Sequence, residues 1–263
     1  MAYKVFLMGG VGNQLFQLSR AISLQLKDKN VIVHELGMIK KIIYKLIGHS
    51  IHENWINMQE FSRHLGLNYK KTNILELVQL FIIFFLRKLS IKNNFDLSLS
   101  QRISSQNKFD VGYFQEKKHF NKKAQFIILD ALKKILQKDL IKNPSKKIIS
   151  LHIRGGDFLK YKNNHHLNIK NSLVTIEKFL KKIDPKIFKI KIITNDKIIL
   201  NSMNLINVEI VSGNPKDDFL SLVNCSQMYV SQSSFCFWAY LFANKFNDCK
   251  IVNKENWIYK NLL

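Results

Sequence analysis

Apolar and polar positions at the start of the chain follow the pattern of a strand, a helix and a second strand. The run Tyr3–Met8 is apolar and strand-like, and a glycine turn follows it. Apolar residues then recur at helical spacing, at Leu15, Leu18, Ala21, Ile22 and Leu26. A second strand-like run, Val31–His34, completes a β-α-β pattern. This pattern favours a parallel pair of strands joined by a right-handed crossover.

The remainder of the first half predicts helices and one more strand. Residues 39–90 mix Lys with apolar residues and predict mostly helix. The stretch 92–108 is polar and predicts a loop, whereas "FDVGYF" at 109–114 predicts a strand. An amphipathic period over residues 122–137 then predicts a further helix.

The sequence Asn143–Pro144–Ser145 marks a domain boundary, because its proline follows one predicted helix and precedes a new strand. We therefore predict an amino-terminal α/β domain over residues 1–145 and a carboxy-terminal α/β domain over residues 146–263. Beyond the boundary, the predicted strands are Ile148–Ile153, Phe188–Thr194, Val208–Val211, Met228–Ser231 and Lys250–Val252, and the predicted helices are Asn171–Lys182, Asp217–Cys225 and Ser234–Phe242. Two such series predict two doubly wound halves, in which ligands bind at the carboxyl ends of the strands.

The composition is that of a globular and strongly basic protein. Of the 263 residues, 46% are hydrophobic, which is ordinary for a folded chain and argues against disorder. Lys and Arg number 41 against 19 Asp and Glu, giving a net charge of +22. This charge favours polyanions, anionic membranes or phosphorylated small molecules, without choosing among them. Because Lys, Asn and Ile are abundant throughout, a bias in genome composition accounts for the charge equally well.

Cysteine usage and the first residues point to a reducing, cytoplasmic compartment. Cys225, Cys236 and Cys249 are an odd number without paired spacing, so they support neither a disulfide framework nor a zinc site. The apolar part of "MAYKVFLMGG" is too short for a signal peptide.

The most apolar segment, "LVQLFIIFFL" at 77–86, is well short of the ~20 residues of a membrane span. We favour a helix that is buried or lies at an interface. A second interpretation stays open, because Arg87, Lys88 and Lys92 follow the segment and would suit a helix lying on a membrane surface.

Glycines and amides after the first predicted strand form the first candidate site. Gly10 and Gly12 allow the backbone to approach a ligand, and free N–H groups at the start of the following helix favour an anion. Asn13 and Gln14 place two amides in the first turn, where they suit sugar hydroxyls as well as phosphate. The alternative is structural, with Asn13 as a helix cap.

The same turn resembles part of a dinucleotide-binding fingerprint, which is the basis of a second functional hypothesis. Glu35, at the end of the second strand, would then bind a ribose hydroxyl of NAD in an oxidoreductase. However, Leu15 stands at the third glycine position, and a partial match of this kind is weak.

A charged turn after the strand Ile148–Ile153 is the second candidate site. The guanidinium of Arg154 suits bidentate binding of phosphate, and the backbone of Gly155 and Gly156 can approach the same anion. Asp157 suits a general base, a group that orients Arg154 or a cap of the next segment. From the chemistry alone, a solvated turn is an equal alternative.

Two further strand ends carry polar residues. Asp196 in "IITNDK" suits a sugar hydroxyl, although a helix cap is the simpler interpretation. Ser233 and Ser234 precede an apolar helix, where hydroxyls and backbone N–H groups converge as in a phosphate site. His165 and His166 lie in a polar stretch that predicts a solvated loop without metal-ligand spacing. The sequence contains no Asp-x-Asp, the usual clamp for a divalent ion beside a nucleotide sugar.

Five segments together resemble the bacterial α-1,2-fucosyltransferases of glycosyltransferase family 11. They are "GGVGNQLFQ" at 9–17, "GYFQEKKHF" at 112–120, "HIRGGDF" at 152–158, "ITND" at 193–196 and "QSSFCFW" at 232–238. The segments follow the family's order over nearly the whole chain, and the first is specific.

This resemblance implies a GT-B type fold with two Rossmann-like halves that face a cleft. It also implies an inverting glycosyltransferase that moves fucose from GDP-fucose to O2 of a galactose, without an obligatory metal, in the synthesis of surface polysaccharide or lipid-linked glycan. The carboxy-terminal half would bind GDP and the amino-terminal half would face the acceptor. The implied partners are the donor, a glycan acceptor and, peripherally, an anionic membrane at its cytoplasmic face, with no nucleic acid.

The resemblance also implies roles for individual residues of the carboxy-terminal half. Arg154 would hold the diphosphate and stabilise the charge of the leaving group. His152 would line the nucleotide, beside Gly155. The set that would complete the nucleotide site is Asp196, Ser233 and Ser234. Asp157 is a candidate for the general base.

In the amino-terminal half, the resemblance implies that Asn13 and Gln14, on the turn of Gly10 and Gly12, reach over the cleft to sugar or phosphate. The sequence departs from the family pattern at three positions. They are Gly155 in place of the second arginine, Asn195 in place of the first acid, and Gln232 in place of an asparagine. Because of these departures, a nucleotide sugar other than GDP-fucose stays an alternative donor.

Overall fold

The structure is a computed structural model that describes residues 2–36, 54–90, 109–141, 147–154, 165–184, 186–194 and 208–263. The chain divides into two compact units, Met1–Ile135 and Leu136–Asn261, with Leu262 and Leu263 divided between them. The predicted boundary after residue 145 falls outside the described residues. The two predicted domains therefore stay a prediction in their bounds and in their roles.

The first unit contains a parallel sheet of four strands with helices between them. The strands are β1 (Tyr3–Leu7), β2 (Val31–Glu35), β3 (Asn68–Lys71) and β4 (Phe109–Asp110), and the helices are α1 (Val11–Gln25), α2 (Met58–His64), α3 (Ile74–Ser90) and α4 (Lys122–Leu136). The strand order is β3-β2-β1-β4, and every described pair is parallel. The predicted parallel pairing of the first two strands is confirmed.

The second unit repeats this arrangement and extends it by one strand. Its strands are β5 (Ile148–Ile153), β6 (Lys189–Thr194), β7 (Val208–Val211), β8 (Gln227–Tyr229) and β9 (Lys250–Ile251), and its helices are α5 (His165–Leu180), α6 (Pro215–Val223) and α7 (Ser234–Asn247). The order is β7-β6-β5-β8-β9, again with parallel pairs. The predicted α/β class with alternating strands and helices is confirmed in both units.

In both sheets, successive strands lie first on one side of the first strand and then on its other side. In the first unit the chain moves from β1 to β3 and returns to the opposite side of β1 at β4. In the second unit it moves from β5 to β7 and returns beside β5 at β8. The order 3-2-1-4 is that of the Rossmann fold, and it creates a crevice at the carboxyl ends where the direction reverses. These switch points lie between β1 and β4 and between β5 and β8.

The central strands are apolar on both faces because helices cover both faces of a parallel sheet. Five of the six residues of β5 are buried. A core cluster on this sheet consists of Ile149, Leu151, Ile153, Ile176, Ile190, Ile192 and Tyr229. Aromatic side chains form a second cluster, in which the Phe237 ring of α7 lies 4.9 Å from the Tyr259 ring and 5.6 Å from the Trp257 ring, centroid to centroid. This cluster fixes the end of the chain on α7.

Glu76 attaches α3 to one face of the first sheet. Side chains alternate between the faces of a strand, so Lys4 of β1 and His34 of β2 share a face. Lys4 Nζ lies 2.7 Å from Glu76 Oε1, and His34 Nδ1 lies 3.3 Å from Glu76 Oε2. Burial lowers the pKa of His34, so this contact joins a neutral imidazole to a carboxylate. Burial alone would raise the pKa of Glu76, but hydrogen bonds from Lys4 and Asn73 lower it.

A capping box begins α3 at the same place. The Asn73 side chain accepts a hydrogen bond from the backbone N–H of Glu76 at 2.9 Å, and Glu76 accepts one from the backbone N–H of Asn73 at 3.1 Å. Helix α3 therefore begins at a fixed position beside the end of β3.

The apolar segment 77–86 forms part of a helix, α3, as expected, but only one side of this helix is buried. Leu77 and Leu80 are buried, whereas Val78 and Ile82 are exposed. Within the described residues, no helix is both long and apolar enough to cross a membrane.

Two predictions about strands need correction. Most of the described part of residues 39–90 is helical, as predicted, but β3 lies within it as an unpredicted edge strand, which is polar and lacks an apolar period. The strand predicted over 109–114 ends at Asp110, because Gly112 and Phe114 have positive φ angles of 154° and 53° that interrupt a strand.

His165 and His166 do not lie in a loop but form the first two positions of α5. The helix begins before the predicted start at Asn171 because its first turns carry few apolar residues, so the sequence shows no helical period there. The loop predicted over 92–108 lies outside the described residues.

We predict that Glu76→Ala destabilises the protein by about 2–4 kcal/mol, because it removes a cap and leaves Lys4 and His34 without their carboxylate. Glu60 is a matched control, since it also follows an asparagine cap by three residues, at Asn57, but is exposed. Glu60→Ala should change stability by about 0.5 kcal/mol or less. Urea unfolding of both variants measures the difference, and equal losses would contradict the role of Glu76.

Candidate functional site

A hydrogen bond joins the ends of β5 and β8 at the switch point of the second unit. His152, the fifth residue of β5, places Nδ1 2.5 Å from the hydroxyl oxygen of Ser231, which follows β8. The His152 ring also lies 5.9 Å from the ring of Phe235, centroid to centroid. His152 is 7% exposed. Its contacts therefore fix the two strand ends against each other.

The His152 imidazole is neutral at physiological pH. Burial, followed by the positive charge of Arg154, lowers the pKa of His152 from 6.5 to about 3. A neutral imidazole adds no positive charge to an anion site. It can instead exchange a hydrogen bond with Ser231, donating or accepting according to its tautomer.

Arg154 lies at the end of β5, directly after the strand, and is partly exposed. Its charge contributes to the low pKa of His152, so the guanidinium lies in the neighbourhood of that ring. A guanidinium at the carboxyl edge of a parallel sheet is placed where such sheets bind ligands. Its planar fork of N–H donors suits two oxygens of a phosphate.

Helix α7 begins on the other side of this switch point. Ser233 is its N-cap, and the Ser233 hydroxyl oxygen accepts a hydrogen bond from the backbone N–H of Phe235 at 3.3 Å. Ser234 is the first helical residue and is partly buried. The N–H groups of a first helical turn and the helix dipole favour a negative charge. A guanidinium from one strand and a helix N-terminus from the next thus belong to the same crevice.

The segment before α7 is held by residues from the end of the chain. The Asn253 side chain accepts a hydrogen bond from the Val230 N–H at 2.7 Å and donates one to the Val230 carbonyl at 2.8 Å. Trp257 Nε1–H donates to the Ser231 carbonyl at 2.8 Å. The Gln232 side chain accepts a hydrogen bond from the Ile258 N–H at 2.9 Å. Gln232 is thus part of the scaffold of this site.

The glycine turn between β1 and α1 forms the switch point of the first unit. Gly9 has a φ of 78°, and a Cβ atom on it would lie 2.6 Å from Asn13 Nδ2. Gly10 is the N-cap of α1 and Gly12 is buried in its first turn. Asn13 does not cap the helix, so the alternative of a helix cap is wrong. Its side-chain oxygen instead accepts a hydrogen bond from Gln115 at 2.9 Å.

Gln14 is buried and its amide makes contacts within the first unit. Its Nε2 donates to the Gly9 carbonyl at 2.8 Å. Its Oε1 accepts from Asn54 Nδ2 at 3.1 Å. Gln14 therefore fixes the glycine turn, and the partly exposed Asn13 is the more accessible amide of the pair.

Gln17 connects the segment 9–17 with the segment 112–120, the first two of the five segments quoted above. Its Oε1 accepts a hydrogen bond from the Met8 N–H at 2.7 Å, and its Nε2 donates to the Gly112 carbonyl at 2.9 Å. An ion pair supports the same junction, since Arg20 Nε lies 2.8 Å from Asp110 Oδ2. These contacts join β1, α1 and the end of β4 around the switch point.

Eight of the predicted site residues therefore lie at the two switch points. Gly10, Gly12, Asn13 and Gln14 lie at that of the first unit, and His152, Arg154, Ser233 and Ser234 lie at that of the second. Gly155, Asp157 and Asp196 lie outside the described residues, as do Gly156 and Asn195.

The residues that hold these loops were not predicted from the sequence. Gln17 and Gln115 stand inside the quoted segments, so the segments themselves contained a signal for them. Asn54, Asn253 and Trp257 are distant in sequence from the loops they contact, and no spacing rule identifies them.

Glu35, the acid that the oxidoreductase hypothesis requires, accepts hydrogen bonds within the first unit. The carboxylate of Glu35 accepts a hydrogen bond from the Tyr69 hydroxyl of β3. The Glu35 carbonyl accepts one from the Thr72 hydroxyl at 2.6 Å. These bonds give Glu35 a structural role at the end of β2.

The chain matches the family model described as Glycosyl transferase family 11 over residues 3–259. No curated protein matches the sequence significantly.

Two solved structures are similar over 92% of this chain and 93% of theirs. One is the NodZ α-1,6-fucosyltransferase soaked with GDP-fucose, with 15% identity and a TM-score of 0.46. The other is the fucosyltransferase NodZ from Bradyrhizobium, with 16% identity and a TM-score of 0.47. Both identities lie below the level at which a similar fold implies a shared activity.

We predict that Gly9→Ala is more destabilising than Gly66→Ala. Both glycines have positive φ, 78° and 68°, but a Cβ on Gly66 would meet no atom within 4 Å. Gly66→Ala should cost about 1–2 kcal/mol through the backbone alone. Gly9→Ala should cost at least about 1 kcal/mol more, because the Asn13 side chain must move. Thermal and urea unfolding compare the two, and equal costs would refute the close contact.

The depressed pKa of His152 predicts a loss of stability in acid. Between pH 6.5 and about pH 3, His152 is protonated in the unfolded chain but stays neutral in the folded chain. In that window His152 should add a slope of about 1.4 kcal/mol per pH unit. His152→Asn keeps a polar atom towards Ser231 but cannot titrate, so the slope should fall by about that amount. His64→Asn, at an exposed histidine of α2, is the control. An unchanged slope in His152→Asn would contradict the prediction.

Proposed function

The chain belongs to glycosyl transferase family 11, and from that membership we propose that it transfers fucose from GDP-fucose to O2 of a galactose. The acceptor is a galactose-containing glycan, free or lipid-linked, in the synthesis of a surface polysaccharide. The two units are proposed to be the two halves of a GT-B type enzyme. The second unit binds the donor and the first faces the acceptor.

The observation that carries this proposal is the crevice between β5 and β8. It combines the guanidinium of Arg154 with the N-terminus of α7, and the contact between His152 and Ser231 holds the two sides together. A diphosphate needs positive charge and several N–H donors at close range. The guanidinium and the N–H groups of a helix N-terminus supply both. The crevice therefore supports a nucleoside diphosphate as the leaving group.

The proposed reaction has one covalent step. The acceptor hydroxyl attacks the anomeric carbon of fucose from the face opposite GDP and inverts the configuration. The bond from that carbon to the diphosphate oxygen breaks, and its electron pair leaves with GDP. Arg154 and the α7 N-terminus stabilise the charge that develops on the diphosphate. No metal is required in this scheme.

The proton of the acceptor hydroxyl must pass to a base during attack. The resemblance does not identify this base; Asp157 is a candidate, and orienting Arg154 is an equal alternative for it. In the first unit, Asn13 is proposed to contact a sugar hydroxyl, and Gln14, on the turn of Gly10 and Gly12, fixes the loop that presents it. In the second unit, Gly155, Asp196, Ser233 and Ser234 are proposed to complete the nucleotide site.

A related donor is the second candidate, because Gly155 replaces an arginine of the family pattern. Loss of one guanidinium reduces the charge available to a diphosphate and alters the space beside it. Another nucleotide sugar with the same diphosphate is compatible with the crevice.

The test is turnover of GDP-fucose with soluble galactosides in the presence and absence of EDTA. We expect GDP release, a fucosylated product whose linkage NMR identifies, and no effect of EDTA. Arg154→Ala should lower kcat/KM about 100-fold or more, because stabilisation of the leaving group is lost. Arg63→Ala, at an exposed arginine of α2, should keep full activity.

Parallel reactions with GDP-mannose, UDP-galactose and UDP-glucose distinguish the two candidate donors. Turnover of one of these sugars in place of GDP-fucose would replace the donor and keep the reaction class. If no donor turns over and GDP does not raise the Tm, the proposed function is wrong. Full activity in Arg154→Ala would refute its role alone.

A further inference from the structure

Helix α3 exposes an apolar face. Ile74 and Leu75 are 72% and 71% exposed, and Val78 and Ile82 are 53% and 48% exposed. Their spacing places them on one side of the helix. A surface helix of a water-soluble protein normally turns its apolar side to the core and its polar side to solvent. We call these four residues the α3 stripe.

The α3 stripe cannot turn inward, because the opposite side of the helix is already anchored. Leu77 and Leu80 are buried, and Glu76 binds Lys4 on the face of the sheet. The capping box at Asn73 fixes the first turn. The helix is therefore apolar on both sides, and the outer side is left for a partner.

Positive charge accompanies the α3 stripe. Lys70 and Lys71 are exposed at the end of β3, directly before the helix. In sequence, Arg87 and Lys88 stand near its carboxyl end. The whole chain carries a net charge of +22.

A second copy of the chain is a poor partner for this face. It would bring the same lysines and the same net charge towards the first copy, and like charges repel. An anionic lipid bilayer offers the complementary chemistry, with hydrocarbon for the stripe and negative headgroups for the lysines.

We propose that the α3 stripe, with Lys70 and Lys71 beside it, is a docking surface for an anionic membrane. The helix lies on the bilayer with the stripe in the interfacial region. Helix α3 leaves the sheet at the carboxyl end of β3, the edge that also carries Asn13. If the proposed function holds, docking brings that edge close to a lipid-linked acceptor. The docking itself does not depend on that function.

The experiment is co-sedimentation of the full chain with vesicles of phosphatidylcholine alone and with phosphatidylglycerol added. We expect binding to the anionic vesicles, at least about tenfold weaker binding to the neutral ones, and loss of binding in high salt. Ile74→Asn/Val78→Asn should weaken binding to anionic vesicles about tenfold or more. Lys70→Gln/Lys71→Gln should weaken it by a similar factor.

The matched control is Ile258→Asn/Val174→Asn in the second unit. Ile258 and Val174 are 62% and 51% exposed, close to the values of Ile74 and Val78. The control should bind vesicles as the wild type does. Thermal unfolding of all variants should give the wild-type Tm, because the exchanged side chains are exposed.

Three outcomes would overturn the proposal. The first is absence of binding to anionic vesicles, and the second is equal weakening by the stripe and control variants. The third is a dimer in light scattering that Ile74→Asn/Val78→Asn dissociates while vesicles bind nothing. Because the assay contains no sugar, its failure leaves the turnover of soluble galactosides unaffected.

Discussion

The winding of two parallel sheets is the constraint on which the candidate site depends. A parallel sheet that extends from its first strand in both directions must separate its covering helices where the direction reverses. Each unit has one such reversal among its described strands, between β1 and β4 and between β5 and β8. The glycine turn and its amides lie at the first, and Arg154 and the start of α7 lie at the second. The topology thus gathers residues that are far apart in sequence.

Polar side chains that are buried or half-buried then fix the loops at these positions. Gln17 satisfies the Met8 N–H and the Gly112 carbonyl together, and Asn253 satisfies both backbone groups of Val230. A buried backbone group without a partner costs about 1–3 kcal/mol, so each amide opposes any movement of its loop. These amides act through geometry and not through charge. They explain why a loop at a ligand crevice can keep one conformation.

The sequence predicted those elements that have an apolar period of their own. The strands β1, β2 and β5 and the helices α1 and α4 are apolar enough to be recognised, and the strand ends indicated where chemistry belongs. The strand β3 was missed because it is a polar edge, and the end of β4 was missed because positive φ at Phe114 follows from its surroundings. Gln232 was noted from the sequence only as a departure from the family pattern, and its hydrogen bond with the Ile258 N–H was not predicted. Such contacts join distant residues, and local periodicity does not contain them.

The electrostatics of the second unit depends on a hydrogen bond between uncharged groups. Arg154 follows β5 and the N-terminus of α7 follows β8, so the two sources of positive charge belong to different strands. The two strands are paired in the sheet, and the contact between His152 and Ser231 extends this connection beyond the last backbone pair. Protonation of His152 would place a third positive charge in a buried position beside Arg154, which is why burial and that guanidinium lower its pKa to about 3. In the proposed function, the guanidinium of Arg154 and about half a charge from the helix dipole stabilise a diphosphate, and Gly155 stands where the family pattern has an arginine. For a diphosphate bound in this way, the position of the guanidinium relative to the helix N-terminus matters more than the number of positive groups, and the neutral His152 supports that position through Ser231.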